Sequence, residues 1–239
     1  MDKVCLEADS RTGKECLTQA QRLASITWIR HTGLIVFAYA GEVNSYAAAG
    51  SQIKIDNCPC CQSEGSLVGH GVYWRKPRDG KQAYRIAIRR WRCKRCGRTV
   101  SALPDFLLRF RWYLLAVISQ VLVRRAEEGA SWNALEAEWA DTPVVRTMQR
   151  WWRSFGEQAG EWLGMAQRVL AEQDSGSGWL EPQGEAARAP NQVQALLSAA
   201  GYLLAWGKTR WRELAGYGWN ERLRFLWLWG SGRGMDRLV

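Results

Sequence analysis

Cys58 and Cys61, in the run Cys58-Pro59-Cys60-Cys61, and Cys93 and Cys96, in Cys93-Lys94-Arg95-Cys96-Gly97, have the types and spacing that most directly specify chemistry in this chain. Each pair is C-x-x-C, and 31 residues, 62 to 92, lie between the pairs. Two residues between thiolates let one tight turn aim both sulfurs at a common point. Two such turns complete a tetrahedral set of four sulfurs, which suits Zn2+. The separation exceeds the roughly 15–20 residues of the commonest arrangement. The intervening segment reads as one long hairpin, however, so the site can still close. A closed structural zinc site is the expectation, with these four cysteines as ligands.

Two other uses of cysteine fit less well. The count of seven is odd, and no secretory signal is read ahead of them, which disfavours a disulfide framework. A redox role for a single C-x-x-C is disfavoured by the second copy and by the glycine that follows it. Cys60 sits between two ligands and is expected to point away from them. Cys5 and Cys16 lack partners at ligand spacing and read as ordinary thiols. His70, in Gly69-His70-Gly71, reads as a hairpin residue and not a ligand.

Charge points to a partner. The formal net charge is +10 over 239 residues. Residues 74 to 111 hold 13 Lys/Arg against two acidic residues, Asp79 and Asp105, so this segment carries +11 and the remainder −1. A basic block tied to a metal-clamped hairpin is expected to face a polyanion. Its candidate phosphate contacts are Arg75, Lys76, Arg85, Arg89, Arg90 and Arg92. Apolar content of 47% with 23% charged residues describes a folded chain. The longest apolar runs, Gly33 to Ala40 and Trp112 to Val123, fall short of the ~18 residues of a membrane span. A cytoplasmic protein with reduced thiols and no membrane partner is therefore expected. Of 15 tryptophans, eleven lie from Trp132 onward at helical spacing among aliphatic residues, which reads as packing.

The elements that must position these groups follow from pattern. Residues 1–56 form an N-terminal extension. Within it, Glu15 to Arg30 has a helical stripe (Leu17, Ala20, Leu23, Ala24, Trp28), Leu34 to Tyr39 reads as a buried strand or more helix, and Gln52 to Ile55 as a strand. Residues 57–104 form the four-cysteine zinc ribbon. Leu67 to Arg75 is one strand, Pro77-Arg78-Asp79-Gly80 a turn, and Gln82 to Arg92 the return, with Tyr84, Ile86 and Ile88 alternating with Arg85, Ala87 and Arg89. That period of two predicts basic side chains on one face and apolar ones packed over the knuckles. Thr99 to Leu103 supplies a third strand.

Residues 105–155 read as three helices. The first starts at Asp105 or Phe110 and stops at Gly129. The second, Trp132 to Ala140, is capped by Ser131 and uses Leu135 and Trp139 inward. The third runs from Val144 to Phe155 or beyond, with Thr142 as cap and Pro143 at its first position. A short turn between two helices suggests a helix-turn-helix. In the third helix Arg146, Arg150 and Arg153 share one face, flanked by Thr147 and Gln149, while Val145, Met148 and Trp152 form another. The first five are candidate base-edge or phosphate contacts. Residues 156–239 form a C-terminal helical region. Its 175–178 and 181–191 segments read as flexible connections, Val193 to Trp206 and Glu221 to Trp229 as apolar helices, and Gly230 to Val239 as a frayed tail. The fold class expected is α+β and mostly α.

Cys58-Pro59-x-Cys61, followed by Arg90-Trp91-Arg92-Cys93-Lys94-Arg95-Cys96-Gly97-Arg98-Thr99, resembles the zinc ribbons at the front of insertion-sequence transposases. With Leu103-Pro104 and Phe106 added, it resembles a group of uncharacterised bacterial proteins that couple such a ribbon to helix-turn-helix elements. The resemblance implies zinc on the four cysteines and transfers no catalytic residue. Those transposases cut DNA with three acidic residues on an RNase H-like core that holds two metal ions. The 84 residues beyond Phe155 are mostly helical in pattern, and Asp174, Glu181 and Asp236 lack strand context. His31 and His70 are the only histidines, and Gly230-Ser231-Gly232-Arg233-Gly234 lacks the lysine of a P-loop.

The leading expectation is a zinc-dependent, non-catalytic protein that binds double-stranded DNA and is linked to a mobile element or to transcription. The alternatives are a truncated or divergent transposase, and a protein- or RNA-interaction module that docks or self-associates through its Trp-rich C-terminal helices.

Overall fold

The computed structural model describes residues 27–29, 33–39, 41–49, 55–80, 82–139, 142–173, 176, 178–181, 184–235 and 237–239. It is a mixed protein, about 49% helix and 19% strand, in which one small sheet packs against several helices.

The sheet begins with β1 (Thr27–Ile29) and β2 (Leu34–Phe37). They pair antiparallel, Trp28 opposite Ile35, and Gly33 at the start of β2 has φ +63. A Cβ at Gly33 would lie 2.3 Å from the carbonyl oxygen of Thr99, so only glycine fits there. The helix expected over Glu15 to Arg30 lies outside the described residues except at its end, where the chain is strand β1 and not helix. Strand pairing to the apolar β2 outweighs the helical spacing of this segment, as tertiary partners commonly do. All four residues of β2 are buried. A continuous apolar run of this kind suits a strand covered on both faces. The strand expected over Gln52 to Ile55 falls mainly on residues that are not described, and Ile55 itself is non-strand. Helix α1 (Val43–Ala49) follows β2 and has no counterpart in the sequence pattern. Its Tyr46 stacks edge-on against Tyr39 and Phe106, with centroids 5.0 and 5.6 Å away.

The ribbon supplies β3 (Leu67–Arg75), β4 (Arg78–Asp79), β5 (Gln82–Ala83), β6 (Ile86–Cys93) and β7 (Thr99–Pro104). The five-stranded order is β1-β2-β7-β6-β3, with β4 and β5 as a separate two-stranded tip. Because β2 runs parallel to β7, strands from both sides of residue 57 share one sheet. The expected single return strand is broken at Tyr84 and Arg85. There the Tyr84 amide donates to the Pro77 carbonyl at 2.9 Å and the phenol donates to Asp79 Oδ2 at 2.8 Å.

One expectation about β6 is corrected. Ile86 and Ile88 are buried, and so are Trp91 and Cys93, which are out of phase with them. Alternation along a strand puts Arg89 on the face of Trp91 and Cys93, and Arg90 and Arg92 on the face of Ile86 and Ile88. The basic side chains therefore leave the sheet on both faces, because adjacent strand residues cannot share one.

Helix α2 (Leu115–Glu127) starts later than expected. Residues 105–114 instead form a loop held by isolated bridges such as Leu107–Leu114. The helix stops as predicted before Gly129, whose φ is +67. Helix α3 (Trp132–Glu138) is capped by Ser131, whose Oγ accepts from the Ala134 amide at 3.2 Å. Helix α4 (Val145–Gln173) runs far beyond Phe155. Its capping differs from expectation: Glu136 Oε1 accepts from the Val145 amide at 2.7 Å, and Pro143 is buried outside the helix. A carboxylate reaching over from the preceding helix satisfies the free amide and favours the positive end of the helix dipole.

Helices α5 (Glu185–Arg188), α6 (Gln192–Arg210) and α7 (Arg222–Ser231) complete the chain. The 181–191 segment expected as flexible connection thus contains a short helix, and Trp179, between the two such segments, is buried, with its Nε1 donating to Ser198 Oγ at 2.8 Å. The tail is not frayed. Met235, Leu238 and Val239 are buried, and Trp162 Nε1 donates to the Arg237 carbonyl at 2.9 Å. Tryptophans 151, 162, 179, 206, 227 and 229 are buried, as their spacing predicted. Gly230 is cut to the shape of one of them, since a Cβ there would sit 2.0 Å from the Trp162 ring. Among the described residues no helix is long and apolar enough to cross a membrane.

Candidate metal centre and basic surface

Two reciprocal turns build the cysteine cluster. In the first, the Gln62 amide donates to the Cys58 carbonyl at 2.8 Å and the Cys58 amide to the Ser63 carbonyl at 3.0 Å. In the second, the Gly97 amide donates to the Cys93 carbonyl at 2.9 Å and the Cys93 amide to the Arg98 carbonyl at 2.9 Å. The residue after the second cysteine of each knuckle is left-handed: Gln62 at φ +59 and Gly97 at φ +71. Glycine takes this conformation without steric cost, and glutamine does not. The Lys94 amide donates to the Ser66 carbonyl at 2.8 Å and ties the knuckles together.

The sulfurs of Cys58, Cys61, Cys93 and Cys96 all lie within 4.8 Å of one another. Cys58 and Cys96 are 3.7 Å apart, as are Cys61 and Cys93. No disulfide joins them. These four residues, brought together as predicted, could hold a metal ion. Cys60 is half-buried and outside the cluster, and exposed His70 lies along β3, away from it. Cys5 and Cys16 lie outside the described residues.

Two serines that carried no motif signal complete the surroundings. Ser63 Oγ is 3.0 Å from Cys61 Sγ, and Ser66 Oγ is 3.2 Å from Cys93 Sγ. Burial would raise the Cys93 thiol, but the Ser66 hydroxyl, the Cys96 amide and Ser63 outweigh it and pull it down to about 5. The Arg98 backbone amide favours the Cys96 thiolate, but burial and the sulfurs of Cys93, Cys58 and Cys61 push that thiol up to about 11. Cys93 and Cys61 are thus shifted toward the thiolate, while Cys58 and Cys96 are shifted toward the thiol, whose proton a cation would displace.

The predicted basic residues separate into different settings. Lys76, Arg85, Arg89 and Arg92 are exposed and Arg90 is half-buried. Arg85 lies 4.2 Å over the ring of Trp74, and Arg89 5.5 Å over that of Trp91. Arg75 is turned inward: Nη1 donates to the Leu108 carbonyl at 2.9 Å and Nη2 to that of Arg111, and burial pulls its pKa down. It anchors the 108–111 loop. On α4, Arg146, Gln149, Arg150 and Arg153 are exposed and Thr147 is half-buried. Met148 is fully buried, with Trp151 taking much of the inward role expected of Trp152. Trp151 packs edge-on against Tyr113 with centroids 5.1 Å apart.

The hairpin tip meets the α3–α4 turn. Gly80, at φ +52, packs so closely on Trp139 that a Cβ would fall 2.9 Å from its ring and 3.7 Å from the Thr142 carbonyl oxygen. Glycine at 80 follows from turn chemistry, but its packing partner does not.

These features define a mixed α/β protein with a four-cysteine cluster between two knuckles, a fringe of arginine, and a helix pair abutting the ribbon. A family model described as a domain of unknown function (DUF6431) matches residues 58–151, from the first knuckle into α4. That description gives no function and establishes no link to transposases. Neither the curated proteins nor the solved structures contain a match.

Proposed function

We propose that this chain is a zinc-dependent, non-catalytic nucleic-acid-binding protein whose main ligand is double-stranded DNA. The observation that carries the reading is the contact of Gly80 with Trp139 and Thr142. It sets the tip of the arginine-rich hairpin beside the turn that leads into α4, the helix bearing exposed Arg146, Gln149, Arg150 and Arg153. In this reading α3 and α4 act as a helix-turn-helix: α4 reads base edges in the major groove while the ribbon holds the phosphates.

Zinc is the proposed ion. A tetrahedron with Zn–S bonds of about 2.3 Å has sulfur–sulfur edges near 3.8 Å by geometry, and the two closest pairs are 3.7 Å apart. Four thiolates close the coordination sphere and leave no open position, so the role is structural. The ion would clamp the base of the hairpin and set its direction relative to α4. A regulatory or mobile-element role rests on the sequence resemblance alone.

Titration with a labelled duplex over a range of salt tests the proposal. Six phosphate contacts, made by the ribbon's Lys and Arg side chains, give a log–log slope of roughly −5. No measurable binding at low salt, or a flat salt dependence, removes the reading.

A further inference from the structure

Phe110 is the most exposed large apolar side chain among the described residues, at 79%. Its backbone has φ +59, a region that bulky residues rarely occupy. Exposure gives the ring no folding role that would offset this strain. Strain of this kind persists where surrounding structure enforces it, and it concentrates at binding sites. The enforcement here is visible. Arg75 donates to the carbonyls of Leu108 and Arg111 from one side, and Arg111 donates to the Val239 carbonyl on the other. The loop is fastened at both ends and holds an aromatic ring out into solvent.

The surroundings of that ring have a definite chemistry. A groove of about 400 Å³ runs past Phe110, lined also by Trp74, Tyr73, Arg75, Arg90 and Arg109, with no acidic side chain among the described residues of its wall. This volume lies within the ~300–1,000 Å³ of small-ligand sites. Trp74 is 53% exposed. Each of the two exposed rings has a guanidinium above it: Arg109 at 4.5 Å over Phe110 and Arg85 at 4.2 Å over Trp74. A flat cation already occupies the position that a flat base would take, and it is free to swing to a phosphate. Aromatic faces paired with arginines, and without carboxylates, match a chain that alternates planar bases with anionic phosphates. A duplex hides its base faces by stacking; an unpaired strand offers them.

We infer that Phe110 and Trp74 form a stacking platform for unpaired nucleobases, so that the protein engages a single-stranded segment next to duplex DNA. The inference rests on the nucleic-acid reading above and adds a second, structure-selective contact to it.

The experiment compares two probes with the same duplex: one blunt, and one ending in a short single-stranded tail that carries 2-aminopurine. Wild-type protein is expected to bind the tailed probe about tenfold more tightly and to change the 2-aminopurine fluorescence, as stacking on protein rings does. Phe110→Ala should lose about tenfold on the tailed probe and keep its affinity for the blunt one, while Phe110→Tyr should behave as wild type. Phe110 is exposed, so neither variant threatens the core, and unchanged circular dichroism checks this. Equal binding of both probes by wild-type protein, or equal losses on both by Phe110→Ala, overturns the platform and leaves the duplex reading intact. Failure to bind either probe removes both readings. Concentration-dependent self-association that Phe110→Ala abolishes, without an effect on the tailed probe, assigns the ring to a protein contact and also overturns the inference.

Discussion

Arg224 Nη2 donates to Asp105 Oδ1 at 2.9 Å, closing a contact between residues 119 positions apart. Asp105 directly follows β7 and is fully buried, and Arg224 belongs to α7. Tyr217 donates to the other carboxylate oxygen, the Tyr39 amide donates to Oδ1 at 3.3 Å, and Arg224 also donates to the Tyr39 carbonyl. Burial raises the pKa of Asp105, and the guanidinium and phenol offset only part of that rise. The carboxylate in turn holds Arg224 protonated, well above the ordinary range. The ion pair therefore joins the ends of β2 and β7 to the last helix.

Breaking it from one side should be costly. Arg224→Ala leaves a buried carboxylate with its cation gone, a change of about 3–5 kcal/mol. The pair replacement Asp105→Asn with Arg224→Met should recover part of that loss, because no charge is then stranded. Urea denaturation of the three proteins measures both. A loss below about 1 kcal/mol for Arg224→Ala, the range of an exposed pair, would show the contact to be incidental.

The cysteine cluster predicts a metal dependence. Purified protein should carry about one zinc per chain. Cys93→Ser should lose most of it, since Cys93 is buried and has neighbouring donors that favour its thiolate. Cys60→Ser should keep it, because Cys60 lies outside the cluster. Chelation should disorder the ribbon and lower the midpoint of unfolding, because the ion contributes to folding of so small a sheet. Metal analysis and a thermal melt with and without chelator read each effect. Full zinc content in Cys93→Ser would sink the assignment.

The clustering of the four cysteines, the hairpin strands, the cap at Ser131 and the arginine stripe on α4 were legible because each follows from local spacing. Other features depend on partners far away in sequence. Asp105 reads as one more acidic residue until Arg224 and Tyr217 arrive from beyond residue 200. Gln62 stands where a knuckle would ordinarily have glycine, so nothing local announced its left-handed backbone. Glu136 caps α4 from a different helix, and Thr142, the residue with capping chemistry in sequence, does not. Arg75 counted as a phosphate contact by charge alone, yet its donors serve the carbonyls of the 108–111 loop. The glycines of the tail suggest fraying, and its burial depends on the Trp162 indole, 75 positions away from Arg237.

Tyr84 gives the hairpin a pH dependence of defined sign. Burial, with Asp79 accepting its hydrogen bond, pushes the phenol from 10.0 up to about 12. Between about pH 10 and 12 the unfolded chain loses this proton and the folded chain keeps it, so the native state binds more protons. The contribution is fully present below about pH 10 and is lost as pH rises toward about 12. Tyr84→Phe removes the ionisable group. The urea midpoint should therefore fall less between about pH 9 and 11 in Tyr84→Phe than in the parent, while thiol titration affects both alike. Parallel decline in the two proteins would show the phenol to be unperturbed.

The final prediction separates reading from gripping on duplex DNA. Arg150 lies on the exposed stripe of α4 with Arg146, Gln149 and Arg153, opposite buried Met148 and Trp151. A guanidinium fork at that position can pair with guanine O6 and N7 in the major groove. Arg89 is exposed on β6 and is stacked over Trp91, where it can meet a phosphate but not a base edge. Arg150→Ala should then cost about 1–3 kcal/mol on a preferred site found by selection from a random duplex pool, and much less on a scrambled duplex. Arg89→Ala should weaken both about equally and make the salt slope shallower by about one. Paired titrations on the two duplexes, each over a salt series, read both effects. Equal losses on both duplexes for Arg150→Ala would leave a nonspecific phosphate binder, because only a contact to base edges can tell one sequence from another.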